Sequence, residues 1–146
     1  MRALVLRFRN SLTEEQMLPV SVGIVYLWFG MLKFFTGVSP AEALAQQTIQ
    51  ELTFGILDPA VSIILLALWE TVIGILLITT FWRKTALLLA LLHIMLTFTP
   101  FLFFPELVFT KIPFGLTLLG QYIIKNFIIL GVLIALLKKR AEAIKK

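Results

Sequence analysis

Apolar residues fall into four long runs separated by short polar breaks, at about residues 18–38, 59–82, 85–104 and 114–137. Each run approaches or exceeds the roughly 20 residues an α-helix needs to cross the hydrocarbon of a bilayer. The pattern predicts an all-α integral membrane four-helix bundle, with residues 1–146 forming one transmembrane domain. Between the first two runs the periodicity changes. Ser39-Pro40-Ala41-Glu42 reads as a capping box with proline at the first helical position. Leu44, Ala45, Thr48, Ile49 and Leu52 then recur on one face, so residues 40–52 are expected to form an amphipathic helix on the outer membrane surface. Asp58-Pro59 starts the second span in the same manner. Trp82-Arg83-Lys84-Thr85 leaves almost no loop, which makes the second and third spans a tight antiparallel hairpin. The loop FLFFPELVFTKIPF, residues 101–114, is too apolar to stand in water and is expected to fold back, as a lid or as an aromatic interface anchor.

Composition supports the membrane reading: 60% of residues are hydrophobic and 14% charged, with a mean hydropathy of +0.99. A soluble domain of this size could not hide so much apolar surface. The first run lacks a small-x-small cleavage site and three spans follow it, so it reads as a span and not as a cleaved signal peptide. The net charge of +5 is distributed by topology. Arg2, Arg7, Arg9, Arg83, Lys84 and the tail Lys138, Lys139, Arg140, Lys145 and Lys146 fall on one side, so both termini are predicted to be cytoplasmic. The loop between the first two runs carries only Glu42, Glu51 and Asp58 and faces out. Nothing in this distribution calls for nucleic acid. Without cysteine there is no disulfide, thiolate metal site or dithiol chemistry, and a single histidine excludes a multi-histidine metal site within one chain.

Ionisable residues inside the spans then stand out, because they are costly there and normally pair or line a wet cavity. Glu70 is the only charge between Asp58 and Arg83, about eleven residues or roughly 16 Å from the outer end of its span. His93 and Lys125 lie at a similar depth in the third and fourth spans, and Lys33 lies nearer the outer end of the first. Gln121 is one turn above Lys125, Tyr122 is beside Gln121, and Asn126 adjoins Lys125. The polar groups share lines with small residues that permit close helix approach. These are Gly23, Tyr26, Gly30, Lys33 and Gly37; Ala67, Glu70 and Gly74; Ala86, Ala90, His93, Thr97 and Pro100; and Gln121, Tyr122 and Lys125. The expected cluster has two lysines against one carboxylate, a net +1 with His93 neutral. Burial could deprotonate a lysine, Lys33 could snorkel outward, or an anionic or electron-rich ligand could complete the site. The candidate ligand-binding set is Lys33, Glu70, His93, Gln121, Tyr122, Lys125 and Asn126. Glu70 is expected to pair with Lys33 or Lys125. No catalytic or metal-binding residue is assigned. Trp28, Trp69 and Tyr122 read as packing groups more than as stacking groups for a ring.

The segments YLWFGMLKFF, SPAEALA, LWE, TFTP and LTLLGQYIIKN, in this order and spacing over about residues 25–135, resemble the DoxX-like family of small four-helix bacterial membrane proteins. That resemblance implies a multi-pass protein of the inner (cytoplasmic) membrane and a subunit role in a quinone-linked oxidoreductase, with a membrane or soluble redox partner. A related branch uses cysteines in disulfide chemistry, and that activity cannot carry over to a chain without cysteine. A quinone is the cofactor to be expected, bound between helices with Lys125, His93, Gln121 and Tyr122 as donors and Glu70 as proton relay. With no flavin, haem or metal motif in the sequence, the chain is at most a membrane subunit of an enzyme. The alternatives are a channel or carrier for an anion, proton or small metabolite, which would need a homo-oligomer, and a structural or assembly subunit whose polar core only fixes helix register.

Overall fold

The computed structural model describes residues 14–144. The basic residues Arg2, Arg7, Arg9, Lys145 and Lys146, used above for orientation, lie outside them. The described chain is mostly helical: α1 (Glu14–Leu32), α2 (Glu42–Leu52), α3 (Pro59–Thr79), α4 (Arg83–Leu96), the short α5 (Pro100–Phe103) and α6 (Pro105–Val108), and the long α7 (Leu118–Ile144). A small antiparallel hairpin, β1 (Phe109–Lys111) and β2 (Gly115–Leu116), pairs Phe109 with Leu116 before α7. Three apolar helical stretches are long enough to cross a membrane, Pro59–Thr79, Arg83–Phe103 and Leu118–Ala143, and Gln16–Leu32 is a shorter apolar helix. This is a membrane protein with membrane-spanning helices.

Several boundaries move from where the hydrophobic pattern put them. The first apolar run ends as a helix at Leu32, because the amides of Lys33, Phe34 and Phe35 bond carbonyls three residues back, at 3.2, 3.3 and 3.2 Å. Gly37, at φ +78°, then turns the chain in a conformation that L side chains rarely adopt. The Ser39 capping box does not form. Ala41 stands at the N-cap without a side-chain bond, and Glu42 Oε2 instead accepts from the Gly37 amide at 2.8 Å, tying α2 to the turn before it. The second cap does form: Asp58 Oδ1 accepts from the Ala60 amide at 2.8 Å, with Pro59 opening α3. Thr80 and Trp82, both at positive φ, reverse the chain into α4 within three residues, and the Phe81 and Trp82 rings stack 5.4 Å apart at that turn. The apolar loop after α4 folds back as α5, α6 and the hairpin. The Phe101 and Phe109 rings meet at 5.4 Å, while Phe114 remains 91% exposed.

The most extensive helix contact is between α1 and α3. A side chain at Gly74 would lie 2.6 Å from the Leu27 amide, and one at Gly30 would lie 2.8 Å from Thr71 Oγ1. Both glycines therefore allow the backbone approach that brings Lys33 level with Glu70. α4 packs on α3 and α7, closing a core of Tyr26, Ile73, Leu77, Ala86, Leu87, Ala90, Ile94 and Leu133. A second cluster joins Leu44 of α2, Val108 of α6 and Ile123 of α7, so the amphipathic face of α2 is covered by protein.

Candidate functional site

The sequence placed polar residues on the packing lines of four helices, and the fold brings three of those lines together, on α1, α3 and α4. Lys33 stands just past the end of α1, where its ammonium can reach both the last-turn carbonyls and the facing helix. Its Nζ donates to Glu70 Oε2 at 2.6 Å and to the Phe29 carbonyl at 3.3 Å. The other carboxylate oxygen, Glu70 Oε1, lies 3.1 Å from Nε2 of His93 on α4. The second ring nitrogen of His93, Nδ1, is 3.1 Å from the Tyr26 hydroxyl, which donates to the Ala90 carbonyl, also at 3.1 Å. Tyr26 and Trp69 both meet the imidazole edge-on, with ring centroids 5.3 and 6.0 Å away. Tyr26, Lys33, Glu70 and His93 are all buried, none more than 8% exposed. Removing an ion pair from water is repaid only where the geometry is good and the remaining lone pairs are satisfied, and here both carboxylate oxygens are taken.

The arrangement settles which lysine pairs with Glu70. Lys125 is exposed on α7, with its ammonium 5.8 Å over the ring of Tyr122, and Gln121 and Tyr122 are exposed beside it. The predicted inward face of α7 is therefore rotated away. At Gly120 a Cβ would collide with the Val108 carbonyl, and Thr117 fastens the start of α7 to the Leu107–Val108 segment: its amide donates to the Val108 carbonyl at 3.0 Å and its hydroxyl to the Leu107 carbonyl at 2.7 Å. These contacts turn Gly120, Ile123 and Leu133 inward and the polar strip outward. Asn126 has a different role, since its amide donates to Thr97 Oγ1 at 3.1 Å and ties α7 to the end of α4. With Lys125 outside the cluster the expected +1 imbalance disappears: Lys33 and Glu70 cancel, and His93 decides the charge.

Tyr26 belongs to the site, although the sequence reading placed it only on a packing line. The available signal was its spacing: Tyr26, Gly30 and Lys33 share a face, so a hydroxyl lies two turns from the lysine on the surface that meets α3 and α4. Trp28, read as packing, is 67% exposed, whereas Trp69 packs against the core. Trp69 Nε1 and Thr71 Oγ1 are buried without a hydrogen-bond partner among the described residues. Toward the α5–α6 and hairpin end of the fold lies a groove of about 630 Å³, lined by Phe98, Phe101, Phe109, Phe114, Ile124 and Phe127 among others, all of them apolar. Phe98 both lines this groove and packs against the core containing Tyr26. It is five residues past His93 on the same helical stretch, or about 8 Å along the axis. Among the described residues, no three histidine and acidic side chains gather as a metal-binding group. No family model, curated protein or solved structure matches this chain.

Proposed function

We propose that this chain is a small DoxX-like membrane subunit that binds the apolar part of an isoprenoid quinone and exchanges protons with its ring through the Lys33–Glu70–His93–Tyr26 chain. The observation that carries this reading is an unbroken run of four buried proton-exchanging side chains, each within hydrogen-bonding distance of the next, in a fold that also holds an open apolar groove sharing Phe98 with the core around Tyr26. A quinone needs both parts, an apolar slot for its tail and a proton partner for its carbonyl oxygens. In this reading the protein is a multi-pass bundle of four spans in the inner membrane, with α1 as the fourth span and both termini cytoplasmic. α2 and the hairpin then lie at the outer face. Electrons pass through the quinone to a membrane or soluble redox partner, because the chain carries no recognisable redox-cofactor motif of its own.

A structural polar core is the second reading, favoured by the way Lys33, Glu70, His93 and Tyr26 satisfy one another. A channel or carrier loses the charge imbalance that spoke for it. The discriminating experiment is gentle purification from native membranes followed by mass spectrometry of what stays bound. A stoichiometric quinone is expected, lost in Ile124→Trp, which fills the groove from an exposed position without touching the core. A co-purified polypeptide and no quinone would point to an assembly subunit. An empty, stable protein would overturn the quinone reading in favour of the structural one.

A further inference from the structure

The hydrogens in the cluster can be counted. Four contacts need one each: Lys33 to Glu70, His93 to Glu70, His93 to Tyr26, and Tyr26 to the Ala90 carbonyl. Lys33 supplies the first. With Glu70 ionised, the second contact requires hydrogen on Nε2. The last two contacts compete, because a tyrosine has a single hydroxyl hydrogen. If His93 is a neutral imidazole, Nδ1 is bare and Tyr26 must donate to it, which leaves the contact with the Ala90 carbonyl oxygen without hydrogen. If His93 is an imidazolium, Nδ1–H donates to Tyr26 Oη and the hydroxyl is released to donate to Ala90. Only then do all four contacts carry hydrogen. Placing that proton on Glu70 Oε1 and leaving the imidazole as its Nδ1–H tautomer gives the same total.

We infer that the His93–Glu70 contact is a binding site for one exchangeable proton, and that Tyr26 is its positioning residue, turning its hydroxyl to the Ala90 carbonyl when the proton is held and to His93 Nδ1 when it leaves. The charged and titratable groups around His93 among the described residues are Tyr26 of α1 and Glu70 of α3, with Lys33, just past α1, on the other oxygen of Glu70. On α7, Lys125 is exposed and does not take part. The proton comes from and returns to water, with no electron transfer in the step. Its use in quinone chemistry rests on the function proposed above; the site itself rests on the four contacts.

His93 is the single histidine of the chain, so imidazole 15N labelling gives one pair of resonances to follow against pH in detergent micelles. The wild-type protein is expected to show both ring nitrogens protonated, or one proton shared across Nε2, at neutral pH, and to convert to the Nε2–H imidazole as pH rises. In Tyr26→Phe the imidazolium loses a neutral acceptor, and proton affinity is expected to fall about tenfold or more. A wild-type His93 that stays a neutral Nε2–H imidazole throughout, or a titration unchanged in Tyr26→Phe, overturns the inference; the wild-type spectrum decides even if the variant misfolds. The two proposals fail separately. If no quinone binds but His93 titrates under the control of Tyr26, the quinone reading falls and the proton site stands. If quinone binds to a His93 that never takes the proton, the proton site falls and proton exchange through the cluster falls with it, while quinone binding in the groove stands.

Discussion

Glu70 has two partners, and their removal should not be equivalent. Its bond to Lys33 is short and both side chains are 8% exposed, so neither charge has water to fall back on. Glu70→Gln keeps the shape of the side chain but strands the ammonium of Lys33. Breaking one side of a buried pair typically costs about 3–5 kcal/mol, and a clear drop in melting temperature in detergent is expected. Lys125→Met is the matched control. The two lysines are chemically identical and both lie within apolar stretches, yet Lys125 is exposed and has no carboxylate partner among the described residues. Its replacement should change stability by no more than about 0.5 kcal/mol. Thermal melts of the two variants side by side decide the pairing: equal losses would return Lys125 to the cluster, and no loss in Glu70→Gln would mean that the pair is hydrated.

At the level of helices, the α1–α3 seam is where the backbone comes closest. In a membrane, lipid is as apolar as leucine, so helices associate through close packing more than through hydrophobic burial. Gly74 makes that packing possible, since a Cβ there would press on the Leu27 backbone, which cannot swing aside as a side-chain tip could. Gly74→Val should cost about 1–3 kcal/mol by overpacking, or more if the seam opens, and should disturb the Lys33–Glu70 pair with it. Gly131 sits in α7 with nothing within 4 Å of where its Cβ would be. Gly131→Ala should be neutral or stabilising by up to about 1 kcal/mol, through helix propensity alone. Melting curves for the two glycine variants check the assignment of the seam.

For the molecule as a whole, the exposed apolar residues form a pattern of their own. Phe54 and Phe114 are more than 90% exposed in the connections before α3 and α7, and Trp82 is 67% exposed at the far end of α3. Aromatic side chains at the ends of spanning helices sit well at the level of the lipid headgroups. The proposed orientation puts α2 outside and the α3–α4 turn inside. The absence of cysteine makes this simple to test with single-cysteine variants. Glu51→Cys is expected to react with a membrane-impermeant maleimide on intact cells, and Lys84→Cys only after permeabilisation. The reverse result would invert the orientation, and reaction of both from outside would mean that α3 does not cross.

Much of the architecture could be read from the chain because it depends on local physics. The apolar runs are long, Asp58-Pro59 is a self-sufficient cap, and on α1, α3 and α4 the small residues mark the same line as the polar ones. Glycine or alanine beside Tyr26, Lys33, Glu70 and His93 signals that these side chains face a neighbouring helix, which is why four members of the observed cluster were visible on packing faces. The Ser39 box was not reliable, because Glu42 had a better amide to bind in the preceding turn. α7 was misjudged for a deeper reason. Most of its length is apolar, so its few polar residues were the main guide to its rotation, and in the fold Gln121, Tyr122 and Lys125 face outward. That rotation is set by Gly120 against the Val108 carbonyl and by Thr117, contacts with a segment about ten residues earlier that periodicity cannot report. The sequence thus determined that the chain is built on long apolar helices of membrane-spanning length and that the polar residues within them must be satisfied. Only the tertiary structure decided that Lys33, and not Lys125, meets Glu70, and that a tyrosine hydroxyl completes the group around the histidine.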